Sequence, residues 1–290
     1  MSKPVPSAHR KSASSRPIPG SKTGIRTLGL IAGWGDFPFL VARAAREQGR
    51  RVVAVGFRGE TDPGLAQLVD EWYWSSLGQV GRVIRLLKNA GAVEAVLAGV
   101  VKHRRIYNLF RLDWRAVKLL AGLKDKRANA ILGAVAETLA KEGIELISPL
   151  PWLKAHLPPR GCLTKRRPTL RERKDVRFGY RIARHVAGAD IGQTVIVKNQ
   201  AVVAVEAMEG TDACILRAGQ LARGGAVVVK VAKPNQDFRF DVPVIGPLTV
   251  QNMKKAGVSA LAFSANQTLF LHREKTLSDA NRARLTLWGI

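Results

Sequence analysis

The sequence predicts an α/β protein with a Rossmann-like, parallel-sheet amino-terminal domain and an α+β, or mixed α/β, carboxy-terminal domain. Short apolar runs typical of buried strands alternate with segments of helical period in the first half of the chain. A stretch rich in proline and arginine then divides the chain near residue 150. With 290 residues, of which 46% are hydrophobic, the chain is long enough to form two cores.

Residues 1–26 are predicted to form a basic, disordered tail. They contain six basic residues and no acidic one, mixed with serine, proline and glycine. Such a composition lacks the apolar surface that folding requires. An organelle transit segment is the alternative, but the prolines argue against the amphipathic helix that such a segment forms.

The amino-terminal domain is predicted to span residues 27–150. Its elements follow the order strand, glycine turn, helix, strand that begins a doubly wound fold. The predicted strands are Thr27–Ala32, Arg51–Gly56, Ala92–Ala98 and Ile144–Ile147, and the predicted helices are Pro38–Gln48, Gln79–Asn89 and Ala130–Glu142.

Residues 151–175 are interpreted as a linker or extended arm, and residues 176–290 as a carboxy-terminal catalytic domain. The segments Gln193–Val197 and Ala201–Ala207 flank Asn199-Gln200 and predict a hairpin. The remaining predictions are strands at Ala226–Val231, Ala260–Phe263 and Thr268–Leu271, the last two flanking a tight turn, and a helix from Pro247 to Ala256 that Gly257 closes.

The formal net charge of +25 predicts an anionic partner, which could be nucleic acid, an acidic membrane surface or a phosphorylated ligand. Two internal stretches are strongly basic, with nine Lys or Arg in Lys102–Arg127 and eleven in Lys154–Arg184. Apolar residues interleaved with the first stretch suit an amphipathic helix that lies against lipid headgroups or a partner. No recognisable nucleic-acid module is present, which disfavours a nucleic-acid partner.

The compartment is predicted from what the sequence lacks. No run approaches the roughly 20 apolar residues of a spanning helix, and the amino terminus has no apolar signal segment. Cys162 and Cys214 lie far apart and have no zinc-type spacing. We therefore expect a soluble, cytoplasmic protein without a disulfide framework or a zinc site.

Two glycine turns are candidates for phosphate contact. Gly33-Trp34-Gly35 begins like a dinucleotide fingerprint, but Pro38 replaces the third glycine. A strand end followed by a helix amino terminus still directs backbone N–H groups toward an anion. Gly99 ends a later strand, where α/β sheets place ligands. His103 follows it, and a core or surface histidine is favoured there over a ligand contact. The absence of Walker and Gly-x-Ser-x-Gly motifs disfavours kinase and esterase chemistry.

The carboxy-terminal half concentrates charged residues after predicted strands. Glu206, Glu209 and Asp212 lie close in sequence, and helix capping by Thr211 or Asp212 explains only part of that group. Lysines and aspartates then alternate around prolines from Lys230 to Asp241. Lysines neutralise phosphate oxygens, and a carboxylate can hold a divalent ion or orient water. This region therefore predicts diphosphate hydrolysis.

Six motifs in this order resemble the LpxI-type UDP-2,3-diacylglucosamine pyrophosphatases of lipid A synthesis. They are Leu28-Gly-Leu-Ile-Ala-Gly33-x-Gly35, Ala98-Gly99, Asp190-Ile-Gly-Gln193, Val205-Glu-Ala-x-Glu-Gly-Thr-Asp212, Lys233-Pro-x-Gln236 and Asp241-x-Pro-x-Ile-Gly246. The resemblance implies two domains that hold the substrate between them. It also implies hydrolysis of UDP-2,3-diacylglucosamine to UMP and 2,3-diacylglucosamine 1-phosphate with Mg²⁺ or Mn²⁺, by attack of water on the phosphorus of the uridine side.

The resemblance also assigns residues and partners. Asp241 matches the family's essential aspartate, so it is the expected catalytic residue and metal ligand. The expected substrate-binding residues are Gly33, Gly35, Gly99, Lys102, Asn129, Thr211, Asp212, Lys230 and Lys233. The expected partners are the UDP-linked diacylated glucosamine, an anionic inner-membrane surface on which the protein would be peripheral, and a second copy in a homodimer.

One segment departs from the family pattern. Where the family has Gly-Asp-Asp-Ala, this chain has Arg127-Ala128-Asn129-Ala130, which removes two carboxylates. The alternative interpretation is therefore a divergent or inactive paralogue that binds a nucleotide-sugar or an acidic lipid without hydrolysis.

Overall fold

The computed structural model describes residues 26–100, 112–123 and 128–290, and it confirms the predicted α/β fold class. The predicted tail, Lys102 and His103 lie outside the described residues. The described chain forms a five-stranded sheet, a six-stranded sheet and a small two-stranded sheet.

The first sheet is parallel throughout and has the strand order β3-β2-β1-β4-β5. This order reverses beside β1, as in the Rossmann-like half that the sequence predicts. The strands are β1 (Thr27–Ala32), β2 (Arg51–Phe57), β3 (Glu71–Ser75), β4 (Glu94–Ala98) and β5 (Glu145–Leu146). The helices are α1 (Phe37–Glu47), α2 (Val80–Asn89), α3 (Trp114–Ala121) and α4 (Ala128–Lys141).

Apolar clusters cover both faces of this sheet. Leu28 and Leu30 of β1 pack with Val41 of α1 on one face. On the other face, Val53 of β2 packs with residues of α2 and α4 such as Leu87 and Leu139. Strands that are buried on both faces read as continuous apolar runs, which is why β1 and β2 were predictable.

The second sheet is mixed and has the order β6-β13-β11-β9-β7-β8. Its strands are β6 (Gly161–Cys162), β7 (Thr194–Lys198), β8 (Ala201–Val205), β9 (Val227–Lys230), β11 (Ala260–Phe263) and β13 (Thr286–Gly289). The helices of this half are α5 (Leu170–Gly188), α6 (Thr211–Ala222), α7 (Pro247–Lys255) and α8 (Arg273–Arg282). Helix α5 covers one face, and the other three helices contribute to the cluster on the opposite face.

The predicted hairpin is present as β7 and β8. Its turn residues Asn199 and Gln200 have φ values of 52° and 58°. Two consecutive positive φ angles are typical of the tight turns that suit the twist of a hairpin.

The predicted linker differs from the structure at its carboxy-terminal end. Strand β6 pairs with β13 inside the second sheet, and α5 begins at Leu170, so the boundary at Asp175 falls inside a helix. Thr169 and Glu172 form a capping box, in which each side chain bonds the backbone N–H of the other residue.

Further elements differ from the predictions. Strand β3, strand β13 and helix α8 were not predicted. The segment Thr268–Leu271 does not form a hairpin with β11; its strand β12 (Leu269–Phe270) pairs in parallel with β10 (Val244–Ile245).

The two halves are joined by apolar packing around residues 240–245. Phe240 packs against the cluster that contains Ile31 and Val53, whereas Val242 packs against the cluster on the other face of the first sheet. His272 Nε2 also lies 3.0 Å from Asp36 Oδ2. The residue between Phe240 and Val242 is therefore held at the junction of the two halves.

No helix in the described ranges is long and apolar enough to cross a membrane.

Candidate functional site

Asp241 lies in a loop that short-range hydrogen bonds hold closed. Gln236 accepts a bond from the Lys233 backbone N–H at 2.9 Å, and its side chain donates to the Asp241 carbonyl oxygen at 2.7 Å. The Asp241 N–H donates to the carbonyl oxygen of Asp237 at 3.2 Å. The motif Lys233-Pro-x-Gln236 therefore positions the backbone of the expected catalytic residue.

The Asp241 carboxylate is bound on one side only. The side-chain amide of Gln193 donates to Oδ2, and Lys233 Nζ lies 3.8 Å from the same oxygen. Within the described parts of the chain, no donor contacts Oδ1. The side chain is 37% exposed. Asp241 thus has one anchored oxygen and one that can accept a proton or bind a cation.

Lys233 connects two carboxylates. Its ammonium group forms an ion pair with Asp190, whose side chain is 18% exposed, and faces Asp241. Asp190 directly follows the end of α5, so this helix brings the second acid to the site. The pairing also limits how much free negative charge the site offers to a metal ion.

A second group of polar residues surrounds the hydroxyl of Thr211. This hydroxyl accepts a bond from Lys230 Nζ at 2.6 Å and donates to Glu206 Oε1 at 2.8 Å. Lys230 and Glu206 are both buried. Glu206 Oε2 accepts a bond from the Gln193 backbone at 3.3 Å. Gln193 therefore links the Thr211 group to Asp241.

Helix α6 begins in this region because of Gly210. Gly210 has φ 82° and ψ 166°, a conformation that is essentially restricted to glycine, and it turns the chain so that Thr211 and Asp212 form the first turn. Asp212 Oδ1 is buried and has no hydrogen-bond partner among the described residues.

Glu209 belongs to a different environment. Its side chain pairs with Arg217 at 2.6 Å, and the guanidinium of Arg217 holds the pKa of the Glu209 carboxyl below its usual value. The three acids of the Glu206–Asp212 segment therefore have separate roles: one binds Thr211, one forms a surface ion pair, and one lies at a helix start.

The glycines of the first domain are explained in part by close backbone contact. Gly33 and Gly99 pack against each other, and a Cβ at Gly33 would lie 2.9 Å from the Val100 carbonyl oxygen. Gly99 has φ +94°, and its Cβ would lie 2.8 Å from the Trp34 carbonyl oxygen. Gly35 has φ +97° and faces open space. Phosphate contact at these positions stays a prediction.

The residues around Asp241 offer few ligands for a divalent cation. Across residues 26–100, 112–123 and 128–290, no group of three His, Cys, Asp or Glu side chains could hold a metal ion. Gln193 Oε1 is buried and has no hydrogen-bond partner within the described part of the chain, and it belongs to the same amide that donates to Asp241. Mg²⁺ usually keeps several waters and is bound through one or two carboxylates plus substrate phosphates, so the Asp241 carboxylate suits such an ion. The residues therefore fit a metal that the substrate helps to hold.

The structure brings together five residues in two adjoining groups: Asp241 with Lys233 and Gln193, and Thr211 with Lys230. Asp212 follows Thr211, while the three glycines lie in the loops after β1 and β4. Lys102 and the side chain of Asn129 lie outside the described residues. Sequence reasoning did not select Gln193, Asp190 or Glu206 as site residues, although the first two bound the motif Asp190-Ile-Gly-Gln193.

The fold and this site define a two-domain α/β protein with two lysines close to a half-exposed carboxylate, and that carboxylate lies where the halves meet. Family models match both halves: the LpxI N-terminal domain matches residues 27–156, and the LpxI C-terminal domain matches residues 159–288. The chain belongs to the LpxI family, which confirms the resemblance predicted from its sequence.

A curated relative agrees with this assignment. The chain is 31% identical over 279 residues to the UDP-2,3-diacylglucosamine pyrophosphatase LpxI of Caulobacter vibrioides, and the match covers 92% of this chain and 98% of the relative.

Two solved structures that resemble parts of this chain are distant from it. The biotin carboxylase subunit of pyruvate carboxylase is 15% identical, with a TM-score of 0.28, and the match covers 69% of this chain and 42% of that one. Glycinamide-RNase-transformylase T from Mycobacterium tuberculosis is 14% identical, with a TM-score of 0.25, over 62% of this chain and 44% of that one. These scores carry no argument about fold or function.

Proposed function

We propose that this protein hydrolyses UDP-2,3-diacylglucosamine to UMP and 2,3-diacylglucosamine 1-phosphate in lipid A biosynthesis. Family membership and the near full-length match to a pyrophosphatase of that name support the substrate and the reaction class. The main structural support for hydrolysis is the environment of the Asp241 carboxylate, which has one anchored oxygen and one open oxygen beside Lys233.

Lys230 and Lys233 supply the positive charge that a diphosphate needs. Lys230 is buried and its ammonium group is held by the Thr211 hydroxyl, so the position of this positive charge is fixed before substrate binds. Lys233 is held by Asp190 and reaches toward Asp241. Fixed charges of this kind stabilise the negative charge that develops on phosphate oxygens during hydrolysis.

Asp241 acts on the attacking water in this proposal. Gln193 and Gln236 fix its side chain and its backbone, which leaves Oδ1 to accept a proton from water. Attack at the phosphorus of the uridine side releases UMP, and the sugar-lipid leaves with the other phosphate. The turn glycines Gly33, Gly35 and Gly99, together with Thr211 and Asp212, would line the substrate site.

We further propose that Mg²⁺ or Mn²⁺ assists the reaction. Asp241 would hold the ion through its open oxygen together with the diphosphate, as the alternative to accepting a proton from water. When bound, it would neutralise phosphate charge.

Two partners follow from the substrate and the family. Because the substrate carries two acyl chains, the protein would work as a peripheral protein at the anionic inner membrane. A homodimer is the oligomeric state that we propose to test by light scattering.

The deciding experiment is incubation of the purified protein with UDP-2,3-diacylglucosamine and Mg²⁺ or Mn²⁺ in ¹⁸O-labelled water. We expect UMP that carries the label, and loss of the reaction on chelation of the metal. Label in the sugar-lipid phosphate would contradict attack on the uridine side. Unchanged turnover in the presence of a chelator would contradict the proposed dependence on a metal ion.

A second candidate function is binding without hydrolysis. It is favoured by the Arg127-Ala128-Asn129-Ala130 segment and by the absence of a three-acid metal cluster from the described chain. Substrate binding by calorimetry with no UMP release under any metal would favour it over the hydrolase.

A further inference from the structure

Helix α5 has an unusually one-sided charge distribution. It contains six Lys or Arg residues, which are Arg171, Arg173, Lys174, Arg177, Arg181 and Arg184. Its two acids, Glu172 and Asp175, are each 1% exposed and face the domain core. The solvent-facing side of the helix is therefore cationic and carries no acid.

The two acids are fully occupied beneath the helix. Glu172 pairs with Arg166 and also accepts a bond from Ser259. Asp175 accepts bonds from the backbone N–H groups of Asn199 and Gln200 at 3.1 and 2.7 Å. Neither acid can neutralise the outer face, whatever the rotamers of the exposed arginines.

The cations of this face are unpaired. Lys174, Arg177 and Arg181 are exposed, and in the described part of the chain they form no ion pair. Their spacing places them on one side of the helix, over about 10 Å along its axis. A row of exposed, unpaired cations is an electrostatic footprint for an extended anionic partner.

Beside this row lies a groove with a volume of about 510 Å³. Arg160, Arg173 and Arg177 line it together with Tyr180 and Trp288. The Arg173 guanidinium lies 5.9 Å from the Trp288 ring centroid. Tyr180 is 39% exposed, and Leu170 at the start of the helix is 80% exposed.

We infer that the outer face of α5, with this groove, docks on an anionic lipid bilayer. Cations surround an exposed leucine, a tyrosine and a tryptophan, which is the composition of helices that lie in the headgroup region. Nucleic acid would match the charge and the aromatic rings, but it would leave the exposed Leu170 without an apolar partner. The inference rests on the proposed function only in taking the lipid surface that bears the substrate as the partner.

The position of α5 relates this surface to the site. The helix ends at Gly188, and Asp190, two residues later, pairs with Lys233 next to Asp241. One rigid helix therefore connects the docking face to the residues proposed for hydrolysis.

The test is co-sedimentation of the full chain with phosphatidylcholine vesicles that contain or lack phosphatidylglycerol. The variant replaces Lys174, Arg177 and Arg181 with Gln. The matched control replaces Arg43, Arg46 and Arg85, which are exposed on helices α1 and α2. Each basic residue near an anionic surface is worth about a fivefold factor, so we expect about a hundredfold weaker binding for the α5 variant. The control variant should lose much less of its affinity for the anionic vesicles.

The outcomes separate this inference from the enzymatic one. Equal losses in the two triple variants, or no binding of the wild type to anionic vesicles, would overturn the docking face. Stronger α5-dependent binding to duplex or single-stranded nucleic acid than to vesicles would overturn the choice of partner. UMP release from substrate in neutral detergent micelles is measured in parallel, since it needs no anionic surface. Its absence would count against the hydrolase alone.

Discussion

Two carboxylates near opposite ends of helix α5 show how differently the same chemical group can be used. Glu172, in the first turn, is 1% exposed, and Arg166, Ser259 and the Thr169 backbone occupy its oxygens. Asp241, near the other end, is 37% exposed and has one anchored oxygen. Both face a cation, which is Arg166 for Glu172 and Lys233 for Asp241. The number of partners, and not the local charge density, separates a structural acid from one that can do chemistry.

The pKa of Glu172 reflects this saturation. Burial raises the pKa of its carboxyl, but the bonds from Arg166, Ser259 and the Thr169 backbone outweigh burial and lower it to about 2. Glu172 is therefore held as an anion at neutral pH and cannot take a proton from water. Asp241 lacks such saturation, which is what a proton acceptor requires.

The sharpest test of the comparison is Asp241→Asn. We expect UMP release to fall by about a thousandfold, because loss of a general base usually costs a factor of about 10² to 10⁴. The melting temperature should change little, since the residue is half-exposed. Asp237→Asn is the matched control, because Asp237 lies in the same loop but pairs with Arg239. Activity of Asp241→Asn within a few-fold of wild type would remove the chemical role of Asp241.

Glu172→Gln should give the opposite pattern. Breaking a buried ion pair usually costs about 3–5 kcal/mol, so we expect a loss of about 3 kcal/mol in the free energy of unfolding, measured with urea. Turnover per folded molecule should be retained. Asp279→Asn, which breaks a surface pair with Lys275, should cost under about 1 kcal/mol. If Glu172→Gln changes the free energy of unfolding as little as Asp279→Asn does, Glu172 does not have the structural role that distinguishes it from Asp241.

Acid titration should expose the same difference in the wild type. The pKa of Glu172 is lower in the folded state than the usual 4.5, so its contribution is fully present above about pH 4.5. That contribution is lost as the pH falls toward 2, and it amounts to about 3 kcal/mol. Glu172→Gln should lack this part of the pH dependence. If the free energy of unfolding of the wild type and that of Glu172→Gln change in parallel between about pH 5 and pH 2, this prediction is wrong.

A smaller effect is expected at Thr211. Thr211→Val removes the hydroxyl that joins Lys230 to Glu206, and hydrogen bonds to charged groups are worth about 1.5–3 kcal/mol. We expect kcat/KM to fall by about thirtyfold. Thr211→Ser keeps the hydroxyl and should stay within a few-fold of wild type. Equal losses in the two variants would indicate packing by the methyl group instead.

The first domain was largely predictable, because its central strands are buried on both faces. Strand β3 escaped prediction since Glu71-Trp-Tyr-Trp-Ser75 lies at a sheet edge and is mostly half-buried, which breaks the apolar run. The linker predicted for residues 151–175 includes the first six residues of helix α5, because prolines and arginines dominate that stretch. The capping box of Thr169 and Glu172 was the sequence signal that could have located its start.

The site was predictable only in part. The lysines and Asp241 follow from a dense local motif, and Gln236 explains how that motif is held together. The bond from Gln193 to Asp241 joins residues 48 positions apart, so no local pattern could give it. It depends on the antiparallel pairing of β7 with β9, which brings the start of one strand to the end of the other.

The packing of Phe240 and Val242 on opposite faces of the first sheet has a consequence for motion between the halves. Asp241 lies between two partly buried side chains that pack against clusters of the first domain. Its carboxylate, however, is bound by Gln193 of the second domain. We therefore expect a change in the angle between the halves to act on the Gln193–Asp241 bond and on the packing of Phe240 and Val242 together, which would couple domain motion to the geometry of the site.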